Sequence, residues 1–519
     1  MNKLNLLAAL LAATLVACGV NPVTGKKEIQ FISEGQELQI GAENYSPTKQ
    51  SQGGDFKVIP DLSAYMNEVG QKLAAVSDRK LPYEFAVLNE SVPNAWALPG
   101  GKIAVNRGLL TELRSEAELA AVLGHEIVHA AARHGAKAQE RGTLISVGMA
   151  AAQVGAAIGG VDQNLASLMV QGAGLGSALI QTRYGREQEL EADEYGMKYM
   201  KAAGYDPLAA VSLQETFVRL SGGQKSSGWL EGLFASHPPS PERVARNKVT
   251  AQELGAGGQL YADRYLARIA PLQKLKPAYD KYDQAVAAAQ KKDFATARTL
   301  TTDAAKLVPQ EGRFQQMLGE IALAEKKPRD AIAYYENAIA LSPDYFGSYL
   351  GGGVAQYRLG DKVKAEDWLN KSVKLLPTAP AVFYLGNIAR DRGDKAAALK
   401  LYQSAAGSQS EVGKEAALEM ARMDLPDNPG RYVAAALQVG RDGKPVVIVQ
   451  NRAPVALADI TLTPVLVNAS GQIVQQGNPV RINGTLKAGE SVAADPGIAV
   501  SEDQLVNLRF RIDNARIAE

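Results

Sequence analysis

Pro309, Pro343 and Pro377 are spaced by 34 and 34 residues, and Ala297, Ala331 and Ala365 keep the same period. Gly319 and Gly353 are also 34 apart, whereas the next glycine in that column, Gly386, comes one residue early. Ala398 is early by the same single residue. A shared offset points to one deletion between Pro377 and Gly386, in the turn before a fourth unit. Self-similarity at this period belongs to stacked units that each bury an apolar face on a neighbour. The block runs from about residue 278 to about residue 425 and forces that part of the chain into an array.

The remainder needs further cores, because 519 residues exceed what one core serves and two to four domains are expected. The 56 basic and 55 acidic residues nearly cancel, so nothing in the charge balance asks for nucleic acid or an acidic surface as partner. The N-terminus reads as a secretory signal: Lys3, then a largely apolar run from Leu6 to Ala17 that is too short to span a membrane. It ends in Leu15-Val16-Ala17-Cys18, which resembles the lipobox of bacterial lipoproteins. That resemblance makes residues 1–17 a signal peptide and Cys18 the lipidated first residue, a lipid anchor in the membrane. Gly19 follows where many inner-membrane lipoproteins carry Asp, so the expected location is the outer membrane, facing the periplasm. Cys18 is the only cysteine, which excludes an internal disulfide.

Residues 19–55 read as a tether followed by a loop. A helical pattern runs from about Leu62 to Val76, and YEFAVLN and KIAVN read as strands with NAWALPGG as a turn-rich connection between them. Ser115 and Glu118 form a capping box that opens a helix stopping near Gly135. The small-residue stretch from Thr143 to Ile180 reads as a pliable flap or a packed helix pair beside the active site, with a membrane span as the weaker alternative because Gln153 and the many Gly and Ala make it weakly apolar. REQELEADEYGMKYMKAAG gives a second helix, Arg186 to Gly204. Beyond Pro426 the alternation of KPVVIVQN, ALADITLTPVLVN and LVNLRFRID reads as a β-sandwich of about 90 residues, with no chemistry visible in it.

Three of the four histidines fall in GHEIVHAAARHG, Gly124 to Gly135. On a helix His125 and His129 share one face, so two imidazoles can meet one ion. Glu126 is next in angle and can act as general base toward water at that ion, the arrangement of zinc peptidases. Such an ion needs a third protein ligand. On a continuous helix His134 lies about 140° round from His129 and about 180° from His125, so it reads as a helix-end residue instead. The carboxylates of ELEAD remain: Glu189 and Asp193 share a face, one able to ligate and the other to hold a ligand histidine.

HEIVH followed by REQELEAD resembles the zinc metallopeptidase family that includes the HtpX heat-shock protease and the CAAX prenyl protease. BepA-type periplasmic proteases with tetratricopeptide repeats are the nearest match, and the 34-residue period itself resembles the tetratricopeptide repeat. The resemblance implies Glu189 as third zinc ligand and Asp193 as its nearby helper. It implies that NAWALPGGKIAVNRGLL leads through an edge strand toward the metal helix. FASHPPSPERVAR resembles the family's later His-Pro segment and supplies His237 and Arg243. His237 reads as a donor to the oxyanion with Arg243 positioning the carbonyl, as a switchable fourth ligand, or as a structural residue before a Pro-rich turn.

The expected protein is multidomain: signal peptide 1–17, tether and N-terminal segment 18–60, a mainly α zincin-like (gluzincin) protease domain with a small β-sheet at 61–255, an α-solenoid of tetratricopeptide repeats at 256–425, and a C-terminal β-sandwich at 426–519. The expected activity is a zinc endopeptidase acting on protein or peptide substrates in envelope quality control, with one Zn2+ per chain. The repeats would recruit substrates or the outer-membrane protein assembly machinery. A chaperone or scaffold working through the repeats is the alternative reading.

Overall fold

The computed structural model describes residues 18–140, 184–221, 231–255, 257–439, 445–468, 470–499 and 502–518. The signal segment 1–17 and the small-residue stretch 143–180 lie outside these residues. The described residues form two compact units, the first running to Pro377 and the second from Thr378. Among them, no helix is long and apolar enough to cross a membrane.

The first unit opens with a hairpin, β1 (Cys18–Val20) paired with β2 (Lys27–Ile29). Helix α1 (Glu34–Ser51) follows, which corrects the reading of a loop over this stretch. The Gln36 amide donates to Ser33 Oγ and the Ser33 amide donates to the Gln36 side chain, a capping box at the start. Pro47 and the polar run around it hide the helix from propensity. Burial of Glu37, Tyr45, Thr48 and Gln50 holds it, a tertiary effect that overrides local preference.

Helix α2 (Pro60–Ala74) buries Leu62, Met66, Val69 and Leu73, each contributing about 1.5–3 kcal/mol of transfer free energy. A mixed sheet sits behind it. β3 (Glu84–Leu88) runs parallel to β5 (Lys102–Asn106), and β4 (Ala95–Leu98) pairs antiparallel with β5 at the edge. The turn-rich connection is thus corrected: four of its residues form a buried strand, and the turn is confined to Pro99–Gly101. Gly100 and Gly101 adopt φ of +77° and +82°, a region that L side chains rarely enter.

Helix α3 (Glu116–Ala131) carries HEIVH and is buried along its whole length, as expected of a helix at the centre of a core. Ser115 Oγ accepts from the Glu118 amide at 3.1 Å, and the Glu118 carboxylate reaches back to the Arg114 amide at 2.6 Å. The helix stops earlier than Gly135, because Arg133 takes the left-handed φ of 63° and turns the chain. Helices α4 (Arg186–Ala202), α5 (Leu208–Ser221), α6 (Glu231–Ser236) and α7 (Pro241–Leu254) complete the layer around α3. Gly204, at φ +83°, ends the turn after α4.

Helical hairpins follow: α8 (Ala262–Gln290) with α9 (Phe294–Leu307), α10 (Gly312–Ala324) with α11 (Pro328–Leu341), and α12 (Phe346–Arg358) with α13 (Lys362–Leu375). The repeating alanines Ala297, Ala331 and Ala365 are fully buried. A Cβ at Gly319 would meet the Tyr335 ring at 2.9 Å, and one at Gly353 would meet Leu369 at 2.8 Å. The periodic small residues are therefore the points where paired helices touch. One apolar core continues from α2 and α3 through Tyr265, Ile269 and Tyr279 to Phe314. Asn89 donates to the Glu311 carboxylate at 2.9 Å and Gln50 to the Asp344 carbonyl at 2.7 Å, tying the first repeats to α1 and the sheet.

In the second unit, α14 (Ala379–Asp391) pairs with α15 (Lys395–Ala406), again with a glycine, Gly386, against a tyrosine, Tyr402. Helix α16 (Glu411–Asp424) precedes two small antiparallel sheets. One has the order β11 (Ser491–Ala494), β7 (Pro445–Asn451), β6 (Val433–Val439). The other has β10 (Val480–Ile482), β8 (Leu457–Val467) and β12 (Leu508–Ile517), with β9 (Ile473–Gln476) also on β8. Val447 and Val449 share a cluster with Ile460 and Leu462. The sheets are small and unclosed, a coarser arrangement than the expected sandwich.

Candidate metal centre

Helices α3 and α4 cross where Gly124 meets Gly196. A Cβ on Gly196 would lie 3.0 Å from the His125 amide nitrogen, tighter than most real contacts, so glycine eases this approach. The crossing sets Glu189 and Asp193 of α4 against His125 and His129 of α3. The segment before α7 then adds His237, and α7 itself adds Arg243.

The nitrogens His125 Nε2 and His129 Nε2 face each other at 3.0 Å. Glu189 closes on both, Oε1 at 3.4 Å from His129 Nε2 and Oε2 at 3.6 Å from His125 Nε2. His237 Nδ1 lies 3.2 Å from His125 Nε2 and 3.1 Å from Glu189 Oε1. These four residues are buried and offer ligand atoms within 4.8 Å of one another. Zinc bonds of about 2.0–2.2 Å in a tetrahedron set ligand atoms about 3.3–3.6 Å apart, so the spacing of these donors suits that ion.

Charge and tautomer agree with the spacing. Burial works to raise the Asp193 carboxyl, but Arg243 and His125 hold it below its ordinary value, so it is an acceptor only. His125 Nδ1 therefore donates to Asp193 Oδ1 at 2.9 Å, which leaves the Nε2 lone pair facing the cluster. Arg243 donates to Asp193 from Nε at 2.7 Å and Nη2 at 2.6 Å, and its Nη1 lies 2.9 Å from Glu189 Oε2. Asn247 adds a weaker bond to Asp193 at 3.4 Å. Burial works against the charge of Glu189, yet His237, His129 and His125 hold its carboxyl well below the usual range. Burial pushes the His129 imidazole well below its ordinary value, toward the neutral form that a metal ligand needs.

Glu126 stands beside the cluster. Oε1 is 3.5 Å from His237 Nε2, while Oε2 is buried and accepts no hydrogen bond from the described residues. Burial raises its pKa. Beside His125 and Glu126 lies a mainly apolar cavity of about 50 Å³, walled by Leu109, Val122, Met197, Leu213, Phe217 and Leu233.

All the sequence-predicted residues of the protease part thus meet in one place: His125, Glu126, His129, Glu189, Asp193, His237 and Arg243. Arg243 faces the carboxylates behind the cluster. Cys18 opens β1. Sequence reasoning missed Tyr184, whose ring stacks on His129 at 3.8 Å and 18°. It also set His134 aside, although His134 Nδ1 lies 2.8 Å from His129 Nδ1. The signal for His134 was its place in the same histidine-rich segment.

The Peptidase family M48 model matches residues 60–250, and the tetratricopeptide repeat model matches 282–343 and 317–380. Metalloprotease YcaL of Escherichia coli (strain K12) is 32% identical over 246 residues, which cover 44% of this chain and 92% of that protein. The chain belongs to peptidase family M48. A putative beta-barrel assembly-enhancing protease of Vibrio cholerae is 31% identical over 37% of this chain, and the match spans only 40% of that relative's length. The beta-barrel assembly-enhancing protease of Yersinia pestis is 26% identical over 65% of this chain and 77% of its own length. Residues 60–250 are thus an M48 metallopeptidase domain, and within it the buried cluster of His125, His129, Glu189 and His237 could hold a metal ion.

Proposed function

We propose that this M48 protein is a zinc-dependent endopeptidase of the bacterial cell envelope, cleaving misfolded or misassembled periplasmic and outer-membrane proteins. The observation that carries the reading is the pairing of a His125–His129–Glu189 cluster at zinc spacing with a buried Glu126 whose Oε2 has no partner among the described residues. Zinc held by these three residues supplies Lewis-acid activation of water and of the scissile carbonyl. Glu126 takes the proton of the attacking water and returns it to the leaving amine. Asp193 keeps His125 in the Nδ1–H tautomer, and Arg243 holds both carboxylates in place. The apolar cavity takes an apolar substrate side chain, and β4 at the sheet edge pairs with an extended peptide.

His237 has two roles to separate. Its Nδ1 stands within 3.3 Å of both His125 and Glu189, which favours a fourth ligand that holds the site closed over an oxyanion donor. His237→Ala raises cleavage on the first role and abolishes it on the second. The beta-barrel assembly named for two relatives, together with the repeats, supports recruitment of outer-membrane assembly substrates or machinery. The location follows from the lipobox resemblance: an outer-membrane lipoprotein anchored through Cys18 after removal of residues 1–17. We divide the mature chain into the N-terminal segment 18–60, protease domain 61–255, repeats 256–425 and a β-sandwich packing module at 426–519.

Zinc content and casein cleavage, measured on the wild type, Glu126→Gln and Glu189→Ala, test the reading. The expected result is one zinc per chain, lost in Glu189→Ala, with cleavage lost in both variants. Zinc bound by the wild type without cleavage by it or by His237→Ala would favour the scaffold reading. Zinc retained in Glu189→Ala would remove Glu189 from the ligand set.

A further inference from the structure

His134 is fully buried and stands outside the ligand cluster, with its Nδ1 2.8 Å from His129 Nδ1. Two imidazole nitrogens at that distance share one proton, one donating and the other accepting. The other nitrogen of His129, Nε2, faces His125 Nε2 at 3.0 Å and Glu189 at 3.4 Å, so as a ligand it must present a lone pair. A neutral imidazole then carries its proton on Nδ1. That proton is donated to His134 Nδ1, which leaves the His134 proton on Nε2. His134 Nε2 lies 3.3 Å from Glu191 Oε1, and a carboxylate accepts. Glu191 accepts a second bond from Asn21 Nδ2 at 2.9 Å. Asn21 is itself held, since its Oδ1 accepts from the Val23 and Thr24 amides at 2.9 and 3.2 Å. Asn21 Nδ2 also donates to Glu28 Oε1 at 3.3 Å with its second proton, and no alternative direction along the two histidines leaves Nε2 of His129 free.

The two metal-facing histidines are therefore oriented differently. His125 has a carboxylate directly on its Nδ1. His129 reaches its carboxylate only through His134, and the far end of that line is Asn21, three residues after Cys18. The left-handed turn at Arg133 swings His134 back onto His129.

We propose that Asn21, Glu191 and His134 form a positioning line that fixes His129 as the Nδ1–H tautomer and sets the metal affinity of the site. The proposal rests on the reading of His129 as a metal ligand. It also makes the segment after Cys18 part of the metal site's support, so loosening that segment weakens zinc binding.

The test is the zinc dissociation constant of the full chain by competition with a chromogenic chelator at neutral pH, with the thermal transition of each metal-free variant as the fold check. His134→Leu is expected to weaken zinc by about 10–100-fold, the usual cost of losing such a partner. His134→Asn places an amide oxygen near the position of Nδ1 and is expected to recover most of that loss, which a space-filling role would not explain. Asn21→Ala is expected to fall between wild type and His134→Leu. Wild-type affinity in a folded His134→Leu overturns the proposal, as does His134→Asn binding as weakly as the Leu variant. Should His134→Leu fail to fold, Glu191→Ala decides: weakened zinc supports the line and unchanged zinc overturns it. His129→Ala separates the premise, because wild-type zinc affinity there removes His129 from the ligand set whatever His134 does.

Discussion

Gly196→Ala is a one-methyl test of how the metal centre is built. The added Cβ would lie 3.0 Å from the His125 nitrogen, 3.1 Å from the Gly124 carbonyl carbon and 3.3 Å from the His125 Cα. All three are backbone atoms, which cannot rotate away as a flexible side chain can. Ordinary carbon contacts need about 3.5 Å or more, so α3 and α4 must part by about 0.5 Å. Metal-ligand distances tolerate about 0.2 Å. Because His125 and His129 ride on α3 while Glu189 and Asp193 ride on α4, the separation falls across the ligand set. Stability should change far less than binding. An overpacking cost of about 1–3 kcal/mol is partly offset by the gain of about 1 kcal/mol from replacing glycine inside a helix. The expected outcome is a folded variant, destabilised by about 0–2 kcal/mol in urea denaturation, whose zinc affinity by chelator competition falls about tenfold or more. Gly35→Ala on α1 is the control. Nothing lies within 4 Å of its Cβ, so zinc affinity should stay at the wild-type value. A folded Gly196→Ala protein with wild-type zinc affinity would refute the argument that the glycine crossing sets the ligand geometry.

Arg243→Lys replaces a planar fork with a point charge and leaves Asp193 and Glu189 under-paired in a buried site, so a stability loss of about 3 kcal/mol is expected in urea denaturation of the metal-free chain. A loss below about 1 kcal/mol would show that the fork is dispensable. The pH dependence of that stability has a definite sign. Asp193 is held below 3.8 in the folded chain, so its contribution is complete above that value and disappears as pH falls through the folded-state pKa. Arg243→Lys should move this acid transition to higher pH in circular dichroism. In the metal-free chain burial raises the Glu126 carboxyl above its ordinary 4.5, so its titration followed by NMR should lie above that value. A midpoint at 4.5 or below would refute the effect of burial. In the repeats, Gly353→Ala drives a Cβ to 2.8 Å from Leu369 and should cost about 1–3 kcal/mol locally in hydrogen exchange while zinc affinity stays unchanged.

What the sequence makes legible here depends on how far apart the interacting residues lie. His125 and His129 are four residues apart on one helix, and their shared face is fixed by helical geometry alone. The Ser115 cap acts over three residues, and the repeat columns announce themselves by period. The strands β3 and β5 show their pattern within a few residues each. Beyond that range pattern loses its hold. Helix α1 stays hidden because Pro47 and a polar run argue locally for a loop, while the burial that stabilises it comes from the sheet and the later repeats. His134 is the sharpest case. Ala130, Ala131 and Ala132 are strong helix formers, so continuing the helix and turning His134 away is the sound local inference. Arg133 defeats it by taking φ 63°, a conformation costing about 1–3 kcal/mol that persists only where its surroundings impose it. The surroundings are Glu37 of α1, which accepts from Arg133 Nε at 2.9 Å and pairs through both its oxygens with Arg79. Arg133 also holds Gln30 and the Ile32 carbonyl. The turn that delivers His134 to His129 is thus set by residues about a hundred positions upstream. The ligand spacing is written within helices, and its support is written between segments that only folding brings together.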